Sequence, residues 1–393
     1  MYSETMYGYG AKSSVIREIF SYSQARIKIV GKENVYDYSL GNPSVPAPKE
    51  VQTAFRDLLN EKTPLELHGY TAGPGDMDVR NIIAEDLNER FGTDVTGEHI
   101  YMTCGAAAAL KITMAALYEE GDEIIVPKPY FPEYKVFAET IGYKFIEVPG
   151  EYGTLQPDVD EIEAAITEKT KILLLNSPNN PSGVVYTKEV MEKIAIMLAK
   201  RNAEWRHPVY IVSDEPYREL VYDAEAPFIP RIYKDTIVCY SFSKSFSVPG
   251  ERIGYICVQP EAESAKEVYL AVCGAGRALG YVCAPSFLQQ VVGRCIKAKP
   301  DLEAYRKNRD LLYGSLVSFG YECIHPDGAF YLMVKAPDGD TERFYERLKK
   351  YDVLVVPAEG FGAPGYVRLA YCVDHGMIKR SLPFFKTVLE EYK

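Results

Sequence analysis

Val238-Cys-Tyr-Ser-Phe-Ser-Lys-Ser-Phe-Ser-Val-Pro-Gly-Glu-Arg252 is an apolar run that breaks into small hydroxyl residues around one lysine, then a Pro-Gly turn and an arginine. Its apolar part, Thr236 to Tyr240, reads as a buried strand. The polar part offers groups suited to a phosphate and an amine suited to a carbonyl compound, at one strand end. Taken alone, Ser241-x-x-Lys244 fits a solvated loop better than a site. The fold follows from how often this pattern of apolar run and polar end recurs along the chain.

From about residue 100, short apolar runs alternate with amphipathic stretches. Strands are expected at 123–126, 143–148, 171–175, 209–213, 236–240 and 254–258. Helices are expected after Pro132 as far as Gly142, at 160–166 and at 188–201. This alternation predicts an α/β fold with a largely parallel central sheet covered by helices on both faces. Ligands in such sheets lie beyond the carboxyl ends of the strands. A helix over 301–318, strands at 329–334, 353–356 and 366–370, and a last helix over 381–392 suggest a second, smaller α/β unit. The expected division is 45–285 for the large domain, with 1–44 and 286–393 forming the small one.

The bulk numbers are compatible with this division. The chain has 393 residues, 47% apolar and 25% charged, enough for a full core. Its 44 basic and 55 acidic residues give a net charge of −11, which argues against nucleic acid or an anionic membrane surface as partner. Eight scattered cysteines form no Cys-x-x-Cys pair, and the five histidines form no His-x-x-x-His pair. No metal site and no disulfide frame is expected. Without a signal peptide or a membrane-length apolar run, a cytoplasmic location is expected.

Four strand ends carry polar groups. Met102-Thr-Cys-Gly-Ala-Ala-Ala-Ala-Leu110 opens a helix after a glycine, so the N–H groups of Ala106 and Ala107 can converge on an anion. Leu175-Asn-Ser-Pro-Asn-Asn-Pro-Ser-Gly183 is a rigid polar turn. Val212-Ser-Asp-Glu-Pro-Tyr217 brings carboxylates and a phenol, and a buried carboxylate needs a positive partner or a donor. The fourth is the run around Lys244. Each has an ordinary structural explanation; four together are poorly explained by chance.

This set resembles the fold-type-I pyridoxal-phosphate enzymes, specifically the class I/II aminotransferases. The resemblance runs from Leu40-Gly-Asn-Pro43 to Arg368 and rests on Asn180-Pro-Ser-Gly183, Asp214-Glu-Pro-Tyr217, Ser241 to Lys244 with Arg252, and Arg368. It implies pyridoxal 5'-phosphate as cofactor and an amino acid and a 2-oxo acid as substrates. Lys244 becomes the lysine that bonds the cofactor aldehyde, and Asp214 the partner of its ring nitrogen. Tyr217 and Asn180 become donors to the phenolic oxygen. Gly105, Ala106, Ala107, Ser241, Ser243 and Arg252 become the phosphate site, and arginine suits it through its planar fork. Phe131, with Tyr130 as the competing candidate, is expected to stack on the ring.

Arg368, Gly41 and Asn180 are expected to take the substrate α-carboxylate. Tyr70, in His68-Gly-Tyr-Thr-Ala-Gly-Pro-Gly75, is expected to enter a partner's phosphate site, which implies a homodimer with shared sites. Aspartate is the leading donor, with Arg277 as candidate cation for the distal carboxylate. Aromatic or broad specificity stands behind it.

Other readings compete. Ser241-x-x-Lys244 also fits a serine acyl-enzyme, but no Lys-Thr-Gly accompanies it. Gly274-Ala-Gly-Arg-Ala-Leu-Gly280 resembles a dinucleotide fingerprint without a following strand, and is expected to be a loop and helix near a dimer interface. A DNA-binding regulator lacks the added segment it needs. A C–S lyase shares nearly every motif above.

Overall fold

The apolar runs become strands wherever both faces can be covered. A computed structural model describes residues 1–11 and 15–392 of the chain. Its strands in chain order are β1 (Tyr36–Asp37), β2 (Ile100–Thr103), β3 (Glu123–Pro127), β4 (Lys144–Val148), β5 (Thr170–Asn176), β6 (Tyr210–Asp214), β7 (Thr236–Ser241) and β8 (Gly254–Val258). They continue with β9 (Tyr331–Lys335), β10 (Val353–Leu354), β11 (Val356–Pro357) and β12 (Tyr366–Ala370).

Seven strands form the large sheet in the order β2-β8-β7-β6-β5-β3-β4. β8 runs antiparallel to both β2 and β7, and the other pairings are parallel. Alternate residues of β5 enter different cores. Ile172 and Leu174 pack with Ile112 and Met114 of the helix Ala106–Leu117, while Leu173 and Leu175 pack with Met191, Ile194 and Leu198 of the helix Lys188–Trp205. A strand covered on both faces has no polar alternation to show, hence its continuous apolar run.

Register aligns the polar ends. Asn176 pairs with Asp214 across β5 and β6, and Asp214 with Cys239 across β6 and β7. Thr103 and Ser241 both pair with Gly254. The ends of β2, β5, β6 and β7 therefore open onto one edge of the sheet.

A second sheet, β11-β12-β9, is antiparallel and packs on the helices Leu302–Phe319 and His375–Glu390. The run 353–356, expected as one strand, splits into two. β10 pairs with β1 and β11 pairs with β12, because adjacent residues serve different neighbours. The last helix starts at His375 behind the cap Asp374 and tolerates Pro383 inside, so it is longer than the expected 381–392. Gly274 and Gly276 lie inside the helix Ala265–Ala278, not in a loop.

The N-terminal segment packs with this second part of the chain. The helix Val15–Val30 buries Ile19 and Ser23, and Arg26 grips Asp352 with two bonds of 2.7 Å. β1 pairs parallel with β10, and the Tyr38 and Ser381 hydroxyls lie 2.7 Å apart. The chain then passes through Ser39, Leu40 and Gly41 to the edge where the large-sheet strands end.

Candidate active site

A cavity of about 380 Å³ lies at that edge. Its walls include Ala106 and Ala107 from the helix after β2, Asn176 and Asn180 after β5, and Asp214 and Tyr217 after β6. Ser241, Ser243, Lys244 and Arg252 come from the run after β7, and Gly41, Phe131, Tyr331 and Arg368 close it. Four sequence-distant strand ends and the second sheet thus meet in one space.

Lys244 stands in the short helix Phe242–Ser245, capped by Ser241. Its Nζ donates to the Gly41 carbonyl at 2.7 Å and lies 5.4 Å from the centre of the Phe330 ring. Burial pushes the lysine down to about 8, and nearby Arg252 and Arg368 push the same way, against an opposite pull from Cys372. A lysine so placed is a usable nucleophile near neutral pH. Ser241 is not activated by it. Its Oγ lies 2.8 Å from Ser243 Oγ and accepts from the Ser243 N–H, so the acyl-enzyme reading has no base at its serine.

Asp214 ends β6 fully inside. Its Oδ2 accepts from the Tyr134 hydroxyl at 2.5 Å, and its Oδ1 is buried without a hydrogen-bond partner among the described residues. Burial raises its carboxyl to about 7, partly offset by the Tyr134 bond. An orphaned buried carboxylate oxygen is costly, and a protonated ring nitrogen would satisfy it.

The anion end is built from backbone and small side chains. The helix Ala106–Leu117 starts without a side-chain cap, so its first N–H groups are free to meet an anion. Gly105 has φ +84°, and a Cβ there would lie 2.7 Å from Arg252 Nη2. The guanidinium therefore crosses directly over the glycine. It is oriented by the Pro249 carbonyl at 2.9 Å and the Cys104 carbonyl at 3.2 Å. Ser241 and Ser243 complete a cradle of donors of the kind a phosphate monoester takes.

Arg368 is the largest fully buried side chain, only 2% exposed. It donates to Ser39 O at 2.5 Å and to Asn180 Oδ1 at 3.1 Å, and its Nε has no hydrogen-bond partner among the described residues. It lies 4.7 Å from the centre of the Tyr331 ring and 4.9 Å from that of Phe361. No acidic side chain pairs with it among the described residues. A buried cation without a counter-ion is ready for a carboxylate from solution. Tyr217, also buried, lies 2.9 Å hydroxyl to hydroxyl from Tyr331.

Of the expected residues, Gly41, Ala106, Ala107, Phe131, Asn180, Asp214, Tyr217, Ser241, Ser243, Lys244, Arg252 and Arg368 line this cavity. Phe131 faces it, whereas the Tyr130 hydroxyl turns to Glu147 at 2.7 Å and its ring packs on Phe145. Gly105 sits under Arg252 rather than in the wall. Tyr70 is 98% exposed and Arg277 is exposed, and neither lines the cavity of its own subunit. Sequence reasoning missed Tyr134, Tyr331 and Arg17, which also line it.

A family model for class I and II aminotransferases matches residues 32–383. The chain belongs to the class I and II aminotransferases. The aminotransferase superposes on a crystal structure of an aminotransferase from Eubacterium rectale with TM-score 0.98 and 49% identity, covering 100% of this chain and 99% of that one. It is 34% identical over 363 residues to an aspartate/prephenate aminotransferase of Thermus thermophilus, 89% of each chain. It is 28% identical over 398 residues to aromatic-amino-acid aminotransferase 2 of Thermococcus litoralis, 97% of this chain and 96% of that one. The enzyme is pyridoxal-phosphate-dependent, with the fold-type-I architecture, and its substrates are amino acids and 2-oxo acids. The orphaned Asp214 oxygen, the uncapped helix start and the buried lysine fit that cofactor. Among the described residues, no group of His, Cys, Asp or Glu is placed to hold a metal, and no helix is long and apolar enough to cross a membrane.

Proposed function

We propose that this aminotransferase moves the amino group of aspartate to a 2-oxo acid such as 2-oxoglutarate. The observation that carries the carboxylate part is Arg368, a buried arginine facing the cavity with no acidic partner among the described residues. Its planar fork takes the α-carboxylate, with Gly41 and Asn180 beside it.

Bound pyridoxal phosphate supplies an electrophilic carbon and an electron-withdrawing ring. Lys244 would be the amine that bonds that carbon and the base that moves the proton at the substrate Cα. Burial lowers its pKa to about 8, which raises the unprotonated fraction available near neutral pH. Asp214 would keep the ring nitrogen protonated, with its partnerless Oδ1 available for that nitrogen, while the Tyr134 hydroxyl donates to Oδ2. Asn180 accepts from Arg368 with its Oδ1, so its Nδ2 would be the donor, with the Tyr217 hydroxyl, for the phenolic oxygen. Phe131 covers the ring. Arg252, Ser241, Ser243 and the first N–H groups after Gly105 would hold the phosphate. Residues 45–285 form the cofactor-binding domain in this reading, with 1–44 and 286–393 as the smaller one.

A homodimer is part of the proposal. Tyr70 stands out from a loop fastened to the segment 281–283: the Cys283 N–H donates to Gly73 O at 3.3 Å and its Sγ to Thr71 O at 3.3 Å. Tyr281 and Val282 are 36% and 47% exposed beside it. This apolar strip suits a second copy, whose phosphate site Tyr70 would enter. A monomer by sedimentation at micromolar concentration would remove that part.

An aromatic donor is the second reading, favoured by Ile16, Leu40, Leu110 and Phe137 in the cavity wall. A screen of amino donors against 2-oxoglutarate separates the two. Aspartate should lead by kcat/KM. Phenylalanine in the lead would reverse the choice, and release of only pyruvate and ammonia, with no transfer, would point to a lyase.

A further inference from the structure

We propose that Tyr331 is a positioning residue for the cofactor site: its hydroxyl donates to Tyr217 and so turns the Tyr217 proton toward the cofactor's phenolic oxygen. This rests on the reading above of Tyr217 as a donor to that oxygen, and it assigns to Tyr331 the task of keeping that donor aimed.

The strand that carries Tyr331 is tied to the two segments it serves. At the approach to β9, the Gly328 N–H donates to Gly183 O at 2.9 Å and the Ala329 N–H to Leu220 O at 2.8 Å. The first bond fixes β9 to the turn that carries Asn180, the second to the segment that carries Tyr217. Within the second sheet Tyr331 pairs with Ala370 of β12, which puts Arg368, two residues away, on the same face. The Arg368 guanidinium lies 4.7 Å from the centre of the Tyr331 ring, and the Tyr217 ring meets that ring edge-on at 5.7 Å. Gly41 leaves room at the tip, because a Cβ there would overlap the Tyr331 hydroxyl. Backbone ties, ring packing and a missing Cβ together set where this buried hydroxyl sits.

The Tyr217 and Tyr331 hydroxyls lie 2.9 Å apart, and neither has another hydrogen-bond partner among the described residues. Burial pushes both phenols up, Tyr331 to about 12 and Tyr217 well above its ordinary value, so each keeps its proton at neutral pH. The groups that face the pair are Arg368, which pulls both phenols down, Asp214, which pushes Tyr217 up, and the Cys372 thiol beside Tyr331.

Two protons and one shared bond leave one proton to give away. If Tyr217 donated to Tyr331, the Tyr331 proton would be left without an acceptor, and an unpaired buried hydroxyl is costly. The phenolic oxygen would also lose its donor. The order Tyr331 to Tyr217 to phenolic oxygen uses both protons. Such a chain polarises its members, so donation from Tyr331 makes Tyr217 the stronger donor.

A donor at the phenolic oxygen withdraws negative charge from it, which lowers the pH at which the lysine-bound cofactor loses its proton. The test is a pH titration of the visible absorbance of the holoenzyme in wild type, Tyr331→Phe, Tyr217→Phe and the double variant. Tyr331→Phe keeps the ring and its packing on Arg368 and removes only the hydroxyl. Tyr217→Phe should raise the midpoint by roughly one to two pH units, the loss expected for a hydrogen bond to a charged group. Tyr331→Phe should raise it by roughly a quarter to a half of that, because the donor stays but is neither aimed nor polarised. The double variant should match Tyr217→Phe, because Tyr331 acts through Tyr217. A midpoint that stays or falls in Tyr331→Phe, or a double variant whose shift is the sum of the two, overturns the Tyr331 assignment alone. A Tyr217→Phe midpoint equal to that of the wild type overturns the reading of Tyr217 and this inference with it.

Discussion

Replacing Tyr134 by phenylalanine removes one hydroxyl from the site and leaves the ring. That hydroxyl gives Asp214 Oδ2 its bond at 2.5 Å, inside the protein. Burial drives the Asp214 carboxyl up to about 7, and the Tyr134 bond works against that drive. A hydrogen bond to a charged group is worth about 1.5–3 kcal/mol, so its loss raises the Asp214 pKa by roughly one to two units. Only the ionised carboxylate can pair with a protonated ring nitrogen. Where wild type and variant are both mostly protonated, at pH 6, cofactor affinity should fall about 10- to 100-fold. As pH rises past about 9, Asp214 ionises in both and the deficit should close. The assay is titration of apoenzyme with pyridoxal phosphate at a series of pH values, read by absorbance. A deficit under about twofold at pH 6, or one that does not change with pH, would refute the reasoning that Tyr134 acts through the charge of Asp214.

Three further outcomes are expected. The Asp214 pKa in the folded apoenzyme lies above its ordinary carboxylate value, so the stability this group contributes is present below about pH 4 and lost as pH rises through about 7. Apoenzyme Tm should therefore drop across that window, and Asp214→Asn should flatten the drop; equal profiles would contradict the buried, orphaned carboxylate. Lys244, lowered to about 8, should be the fastest lysine of the apoenzyme to react with an amine-selective reagent, with a midpoint near that pH by peptide mapping. A midpoint like that of the surface lysines would contradict its burial beside two arginines. Gly105→Ala puts a Cβ 2.7 Å from Arg252 Nη2 at φ +84°. It should cost about 1–2 kcal/mol of stability through the left-handed backbone and the close guanidinium, and weaken cofactor binding by shifting that guanidinium; unchanged cofactor affinity beside the stability loss would contradict Arg252 as the phosphate holder.

The strand ends were legible in the sequence because each apolar run stops at a change in residue chemistry. Leu175 to Asn176, Ser213 to Asp214 and Tyr240 to Ser241 mark the point where the sheet ends and the cavity begins. Lys244, Asp214, Asn180 and Arg252 stand directly at those points. Tyr134 and Tyr331 were not legible. Tyr134 lies in the first turn of a helix and Tyr331 in a strand, and an aromatic residue in either place reads as core. Their hydroxyls gain meaning only from partners 80 and 114 residues away. Arg17 was hidden for another reason: it reaches the site from the N-terminal helix, whose position depends on Asp352. The split of 353–356 was invisible because local apolar character does not state which neighbour a strand will choose.

The central claim is that Lys244 is the amine that bonds the cofactor. Borohydride treatment of the purified holoenzyme, followed by protease digestion and mass spectrometry, tests it directly. The account predicts one modified lysine, Lys244, carrying the reduced cofactor in near-stoichiometric yield, and loss of that label when a substrate amine is present before reduction. Stable labelling at another lysine, or an unlabelled Lys244 in protein saturated with pyridoxal phosphate, would contradict it.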